Sequence, residues 1–172
     1  MSVFFQQPSY QSGISGFQRS QPGQLWQSTP AVAAFVGVPG TTFALPANYR
    51  GRNVPDISLN ADPDTGYVIY YTSSANGFAI LSGYGGTSFV APQLNGITAL
   101  LGEEFHGRLG LLNFALYGLA RGNQGYGGRH PPLRAITAGD NWFYYGSRGY
   151  NPAAGLGTLD IANFANALRD SF

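Results

Sequence analysis

The segment Gly85-Gly86-Thr87-Ser88-Phe89-Val90-Ala91-Pro92 constrains the fold more than any other part of the sequence. Two adjacent glycines permit a sharp backbone turn that residues with a Cβ adopt only under strain. Serine is favoured as a helix cap, and proline is tolerated in the first helical turn. The segment therefore predicts a strand, a tight turn and a helix from Ser88 through Phe105. Gly96 inside that helix costs about 1 kcal/mol relative to Ala, which predicts close packing of another element there.

The other apolar patterns predict a mixed α/β domain. Two β-branched and aromatic runs, Tyr67–Thr72 and Phe78–Ser82, flank an Asn-Gly turn within Ser73–Gly77 and predict a hairpin. Helical spacing of apolar residues predicts further helices over Leu112–Ala120 and Leu159–Leu168. Strands combined with helices place the chain in the α/β class.

Residues 1–50 differ in composition from the rest of the chain. They are rich in Gln, Ser, Gly and Pro without a helical period, so we expect loops and short extended pieces. The apolar stretch Ala31–Val38 fits either a short buried strand or a turn of helix. The length of 172 residues suits one domain or a piece of a larger one, divided into a loop-rich segment 1–50 and a region 51–172 that holds the strand-turn-helix.

Composition excludes several functional classes. Charged residues make up 10% of the chain and the net charge is +1, so we expect neither a nucleic-acid nor an anionic-membrane partner. No apolar run approaches the ~18 residues of a membrane span, and Met1–Tyr10 does not resemble a signal peptide. The lack of cysteine excludes disulfides and thiol chemistry. Eight carboxylates leave little stability to lose in acid, which permits an acidic working environment.

Ser88 is the strongest candidate for chemistry. At a helix N-terminus its hydroxyl lies beside free N–H groups and the positive end of the helix dipole. A serine placed there can act as a nucleophile, with its own N–H directed at a developing oxyanion. The alternative is that Ser88 only caps the helix, which is the commoner role of a serine at this position.

The Gly-Thr-Ser-x-x-Ala-Pro pattern at Gly86–Pro92 is the nucleophile motif of subtilisin-like serine peptidases. Further segments match one branch of that group: Ser2–Gln11, Arg52–Ser58, Ala61–Tyr67, Leu112–Tyr117, Ile136–Asn141 and Tyr150–Gly157. Together they resemble the sedolisins, the serine-carboxyl peptidases, over most of the chain. The resemblance implies the C-terminal portion of a subtilisin-like α/β three-layer sandwich, the portion that contains the nucleophile helix.

The resemblance also implies a mechanism and its missing parts. Ser88 matches the family's nucleophile, with Gly86 and Thr87 as motif support near the oxyanion. In the family, a Glu supported by an Asp is the general base, and another Asp stabilises the oxyanion. The only Glu residues here, Glu103 and Glu104, lie near the far end of the Ser88 helix, about 20 Å away. We therefore expect all three acidic groups to be absent from this chain, and the isolated chain to be inactive.

Partners and location follow from the same resemblance. It implies a peptide or protein substrate, the N-terminal half of the peptidase domain as a partner, and an extracellular location. His106, at a helix end, and His130, in a Pro-rich loop, are not placed to replace the base. Two alternatives stand beside the peptidase: a non-catalytic remnant or peptide-binding pseudoenzyme, and an aromatic-rich carbohydrate- or partner-binding module. The Gly-Thr-Ser helix start and the Arg52–Asp56 stretch disfavour the module.

The family's calcium site is matched only in part. The family uses an Asp-Ile pair and a Gly-rich loop ending in Asp-Pro, whereas Ala135 and Asn151 stand at the two carboxylate positions here. The main-chain carbonyls of Ile136, Ser147 and Gly149 are the remaining ligands for an ion. Because calcium prefers carboxylate oxygens, we expect calcium binding at this loop to be doubtful.

Two further features have competing interpretations. Asp62–Gly66 resembles the start of a calcium loop, but the acidic residue that an EF-hand needs does not follow, so we predict a turn before the Tyr67 strand. Trp26 and the run Trp142–Tyr145 fit either a ligand cleft or half-buried loop residues.

Overall fold

The computed structural model describes residues 1–27, 42–73, 77–122 and 124–170. The predicted apolar stretch Ala31–Val38 lies outside the described residues, and so do positions 74–76 of the predicted hairpin turn. Among the helices of the described ranges, none is both long and apolar enough to cross a membrane.

Within the described residues, six strands form three separate antiparallel pairs, β1–β2, β3–β4 and β5–β6. The strands are β1 (Leu25–Gln27), β2 (Thr42–Ala44), β3 (Tyr67–Ser73), β4 (Gly77–Tyr84), β5 (Leu133–Arg134) and β6 (Thr158–Leu159). The helices are α1 (Thr87–Glu104), α2 (Asn113–Arg121) and α3 (Ile161–Arg169), preceded by a short 3-10 helix at Ser9–Gln11. The described part of residues 1–50 is otherwise loop, as the composition predicts.

The predicted hairpin is confirmed. β3 and β4 pair antiparallel in a register that places Tyr70 opposite Ile80 and Ser73 opposite Gly77. An irregularity in the pairing between Tyr67 and Ile69 shifts the register near the start of β3. β4 then leads directly into the turn before α1, as the double glycine predicts.

The helices lie within two residues of their predicted bounds, with two corrections. The first helix begins at Thr87, and Gly86 is its N-cap, so the prediction that Ser88 caps it is wrong. The third helix begins at Ile161 because the Asp160 carboxylate caps it and accepts from the Asn163 N–H at 3.2 Å. Leu159, predicted to be its first residue, belongs instead to β6.

The hydrophobic core lies among α2, α3, the β5–β6 pair and the C-terminal end of α1. Its buried members are Leu101, Leu116, Tyr117, Leu133, Tyr150, Leu156, Phe164 and Leu168. Leu101 is the one buried residue among the eighteen of α1. A Cβ built on Gly96 would meet no atom within 4 Å, so the prediction of close packing against Gly96 is wrong for the part of the chain that the structure describes. The N-terminal half of α1 therefore lies outside this core.

A buried polar network joins the N-terminal segment to α2. The Gln11 amide donates to the Asn53 carbonyl at 2.8 Å and to the Tyr117 hydroxyl at 2.9 Å. Tyr117 in turn donates to Asp56 at 2.7 Å, and Arg52 pairs with the other oxygen of that carboxylate at 2.5 Å. Burial, reinforced by the Asp56 carboxylate, raises the pKa of Tyr117 well above its ordinary value. The phenol therefore stays protonated and acts as the donor.

Candidate active site

The turn before α1 needs both of its glycines, for different reasons. Gly86 has a φ of 93°, in the region that residues with a side chain rarely adopt. Its N–H donates to the Ala61 carbonyl at 2.5 Å. A Cβ on Gly85 would lie 2.5 Å from the nitrogen of Pro63 and 2.6 Å from the Ala61 oxygen. The double glycine thus lets β4 end flush against the loop around residues 61–63 and turn at once into the helix.

The supporting loop is held by its own aspartate. The Asp62 carboxylate accepts from the Thr65 hydroxyl at 2.9 Å and from the backbone N–H groups of Thr65 and Asp64 at 3.3 and 3.1 Å. These hydrogen bonds hold the pKa of Asp62 below its ordinary value, and the bond from the Thr65 hydroxyl contributes most. The Gly66 N–H closes the turn on the Pro63 carbonyl at 3.2 Å. The predicted turn is confirmed, and its carboxylate is engaged within the loop.

Aromatic rings fix the first turn of α1 against the hairpin. Phe89 stacks on Tyr67 with ring centroids 5.4 Å apart and planes 7° from parallel. It also meets Tyr84 at 5.9 Å. The Tyr67 hydroxyl donates to the Asn60 carbonyl at 2.9 Å. Since Phe89 follows Ser88 directly, this stack fixes the orientation of the backbone that carries the serine.

Ser88 is exposed in the first turn of α1. Its hydroxyl forms no hydrogen bond within the part of the chain that the structure describes. The Phe89 N–H donates to the Gly86 carbonyl at 3.0 Å, and this is the first hydrogen bond of the helix. The N–H groups of Thr87 and Ser88 come before it in the chain and have no such partner among the described residues. Free N–H groups at a helix start attract negative charge. The arrangement suits an accessible nucleophile beside two oxyanion donors.

The chain's own acid–base groups lie far from Ser88. Glu103 and Glu104 end the same helix, about 23 Å along its axis from the serine. His106 is exposed just beyond that end, with a φ of 52°. His130 lies in the loop before β5, in a cleft lined by residues of α3. Across the described ranges, the structure brings no carboxylate or imidazole into hydrogen-bonding contact with the serine hydroxyl.

The loop that matches the family's calcium site is closed by a side-chain amide. Asn151 is 2% exposed, and its Nδ2 donates to the carbonyls of Ser147 at 3.0 Å and Ile136 at 3.4 Å. Its Oδ1 accepts the Ala154 N–H at 2.9 Å. Ala135 brings no ligand side chain. Two of the predicted ligand carbonyls thus face an N–H donor, so the donor set here does not fit a calcium ion.

The aromatic run Trp142–Tyr145 is exposed, with Trp142 94% accessible. An isolated bridge joins Asp140 to Tyr145, and the Asn141 side chain accepts the two N–H groups at positions 143 and 144. The half-buried interpretation of this run is therefore wrong. The side chain of Trp26 lies outside the described residues.

Comparison with known proteins identifies relatives that are longer than this chain. No family model matches. Kumamolisin from Bacillus sp. (strain MN-32) is 32% identical over 123 residues, which cover 67% of this chain and 19% of kumamolisin. Sedolisin from Pseudomonas sp. (strain 101) is 27% identical over 160 residues, 87% of this chain and 24% of sedolisin. The chain thus spans about a fifth to a quarter of these relatives.

A solved structure matches nearly the whole chain. Pseudomonas sedolisin, a serine-carboxyl proteinase complexed with two molecules of pseudo-iodotyrostatin, superposes with a TM-score of 0.65 and 23% sequence identity. The match covers 98% of this chain and 35% of that one. The chain therefore has the fold of part of a subtilisin-like α/β domain, as the sequence predicts.

Proposed function

Because the chain is related to the sedolisins, a family of serine-carboxyl peptidases, over much of its length, we propose that it is the nucleophile-bearing part of an acid-acting endopeptidase. The observation that carries this proposal is the exposed hydroxyl of Ser88, which has no hydrogen-bond partner among the described residues and follows a turn that two glycines and an aromatic stack hold in place. A serine that served only as a cap would occupy the N-cap position, whereas Gly86 is the N-cap and Ser88 lies in the first turn of the helix.

The proposed reaction has two covalent steps. The Ser88 oxygen attacks the carbonyl carbon of a peptide bond, the amine leaves with a proton, and the acyl group stays on the serine. Water then attacks the ester, which releases the acid and restores the hydroxyl. The N–H groups of Thr87 and Ser88, oriented by the Gly86 turn, stabilise the oxygen that becomes negative in each step.

The proton from Ser88 requires a base outside these 172 residues. A Glu supported by an Asp, with a further Asp at the oxyanion, is the set that the family resemblance implies. A carboxylate base is suited to acidic conditions, since a catalytic pKa is most effective near the operating pH. We propose a peptide or protein substrate, an acidic working pH and an extracellular location on the same grounds.

The β3–β4 hairpin has an exposed apolar surface, which is evidence for a further segment that packs against it. Val68, Tyr70, Phe78 and Ile80 are 67%, 70%, 53% and 60% exposed. Tyr70 lies opposite Ile80, and the rings of Tyr70 and Phe78 meet at 4.2 Å, so these three side chains form one apolar face. Contiguous apolar surface of this kind marks an interaction site.

The helix that carries Ser88 presents a second uncovered surface. Gly96 has open space where a Cβ would lie, and Leu100 is 66% exposed. We propose that both surfaces are covered by the remainder of the peptidase domain, the part that supplies the base. The matched sedolisin chain supports this, because the region shared with this chain is 35% of its length.

The test is the mass of the protein that carries this sequence in its natural source, measured native and then denatured. The proposal expects a longer polypeptide, or a native particle that releases a second chain, together with peptide hydrolysis at acidic pH. A single 18.3 kDa species in both states without hydrolysis would overturn it. That result would favour the non-catalytic remnant or peptide-binding pseudoenzyme.

A further inference from the structure

The segment between β5 and β6 folds back on itself around the buried polar side chain of Asn151. A Cβ on Gly146 would lie 2.8 Å from the Ile136 carbonyl oxygen, which shows how closely the two arms approach. The Gly146 N–H donates to the Gly139 carbonyl at 2.9 Å. Asn151 closes the segment, and with 2% exposure it is one of the few buried polar residues of the described chain.

The Asn151 side chain has a hydrogen-bond partner for both ends of its amide. Nδ2 faces two carbonyl oxygens, those of Ser147 and Ile136, and Oδ1 faces the Ala154 N–H. Carbonyls require a donor and the N–H requires an acceptor, so this environment fixes which end of the amide is nitrogen. The backbone of Asn151 is also paired in both directions with Gly155, at 3.0 and 2.7 Å.

We propose that the Asn151 amide stands in the place of a cation and cross-links this loop, so that the loop folds without calcium. The two N–H bonds of Nδ2 present positive charge to the carbonyls of Ile136 and Ser147, as a bound ion would. The interaction is built into the sequence and is independent of calcium concentration. The inference holds whether or not Ser88 is catalytic.

An aspartate at position 151 would have the opposite hydrogen-bonding chemistry, which supports the proposal that the amide takes the place of an ion. A carboxylate at position 151 would place an oxygen against two carbonyl oxygens, an arrangement that requires either a cation between them or protonation of the carboxylate. With the amide in place, a cation would have to displace Nδ2 from two oxygens in a site that offers no carboxylate in return. Arg148, exposed on the same loop, adds further positive charge.

The test compares the melting temperature of the full chain in millimolar calcium and in excess chelator. Wild type is expected to differ by no more than about 1 °C between the two conditions, because a ligand stabilises only by binding. Isothermal titration of wild type with calcium is expected to give no binding heat. A rise of many degrees, or a measurable heat, would overturn the proposal, and neither measurement depends on the folding of a variant.

Two variants test the role of the amide. In chelator, Asn151→Asp is expected to melt about 5 °C or more below wild type, and calcium is expected to recover part of that deficit. Asn95→Asp adds the same charge at an exposed position of α1 and is expected to melt like wild type in both conditions. Equal melting of the two variants in chelator would contradict the cross-link. A deficit that calcium leaves unchanged would contradict the placement of the amide at a cation position.

Discussion

The hydroxyl of Ser88 has no hydrogen-bond partner in the described chain. Its removal should therefore change the stability of the fold little, but it removes the proposed nucleophile. Ser88→Ala is expected to reduce acid peptide hydrolysis by the complete protein by a factor on the order of 10⁴ to 10⁶. The melting temperature is expected to stay close to that of wild type. Turnover measured at acidic pH and a thermal melt check both statements.

The matched control for this change is Ser82→Ala, which removes an exposed hydroxyl from β4. It is expected to retain activity. If Ser88→Ala kept its turnover, the assignment of Ser88 as nucleophile would be wrong.

Tyr117 differs from Ser88 because its hydroxyl is fully buried and hydrogen-bonded. Tyr117→Phe removes a donor to the Asp56 carboxylate and the acceptor of the Gln11 amide. We expect a loss of about 1.5–3 kcal/mol in the free energy of unfolding, the range for hydrogen bonds to charged groups. Tyr126→Phe is the control, since its hydroxyl donates at 2.9 Å to a neutral acceptor, the Leu156 carbonyl, and it is expected to lose about 1 kcal/mol. Equal losses in denaturant titrations would contradict the role of the charge.

Sequence patterns correctly predicted that Ser88 lies at the start of the helix, but the prediction that it caps the helix was wrong. The two glycines permit backbone conformations that residues with a Cβ rarely adopt, so a tight turn could be predicted from the residues themselves. The preference of serine for N-caps is statistical. Gly86 takes that position because its backbone, with a φ of 93°, is not helical, and the helix starts at Thr87, one residue earlier than predicted. The stack of Phe89 on Tyr67 is a contact between segments far apart in sequence, and no local pattern indicates it.

Among the helices, α1 carries the exposed surface around Gly96 and Leu100 that we propose is covered by the rest of the domain. Gly96→Ala improves helix propensity by about 1 kcal/mol, but it adds a methyl group on a surface that we propose is covered by the rest of the domain. We expect Gly96→Ala to lower the activity and the melting temperature of the complete protein.

Gly118→Ala in α2 is the control for that prediction, since a Cβ there also meets open space. It is expected to raise the melting temperature by about 2–4 °C and to leave activity unchanged. If Gly96→Ala behaved like Gly118→Ala in the complete protein, the covering segment would not lie against this part of α1.

α3 carries a pH-dependent cap. Hydrogen bonds from the Arg134 guanidinium and, to a smaller extent, from the Asn163 N–H lower the pKa of Asp160 below its ordinary value of 3.8. A lowered pKa in the folded state means that this carboxylate contributes stability above its unfolded pKa, and that the contribution is lost as pH falls through the lower folded value. Asp160→Asn keeps an acceptor but loses the charge. We expect it to be less stable than wild type near neutral pH, with the difference narrowing below about pH 4.

Thermal melts across the acidic range test this prediction, with Asp170→Asn at the exposed end of α3 as the control for charge removal. A stability difference between wild type and Asp160→Asn that did not change with pH would contradict the cap's dependence on its ionised form. The boundary of α3 itself was predictable only to within two residues, because Leu159 continues the apolar pattern into β6.

At the scale of the whole molecule, the core and the candidate site occupy different regions. The core cluster draws on α2, α3, β5, β6 and only the last turn of α1, whereas Ser88 and the hairpin lie outside it. Motif resemblance predicted the fold, and the match to Pseudomonas sedolisin over 98% of this chain confirms it. It did not predict which surfaces of this chain are exposed, because exposure depends on contacts between segments that are far apart in sequence.

The structure of the loop around Asn151 was harder to predict from the sequence than the turn before α1. The resemblance implies that Ala135 and Asn151 stand at two carboxylate positions of the family, but the consequence depends on where the side chain at position 151 points. Only the folded loop shows the Asn151 amide directed at the Ile136 and Ser147 carbonyls.

The central claim, that Ser88 is acylated during peptide hydrolysis, is tested most directly by acid quench and mass mapping. The complete protein is mixed with a peptide ester at acidic pH, quenched within the first turnover, digested and mapped by mass spectrometry. We predict an acyl mass on the peptide that contains Ser88, and none in Ser88→Ala. Hydrolysis with the acyl group on another residue, or with no acyl group at all, would contradict the claim.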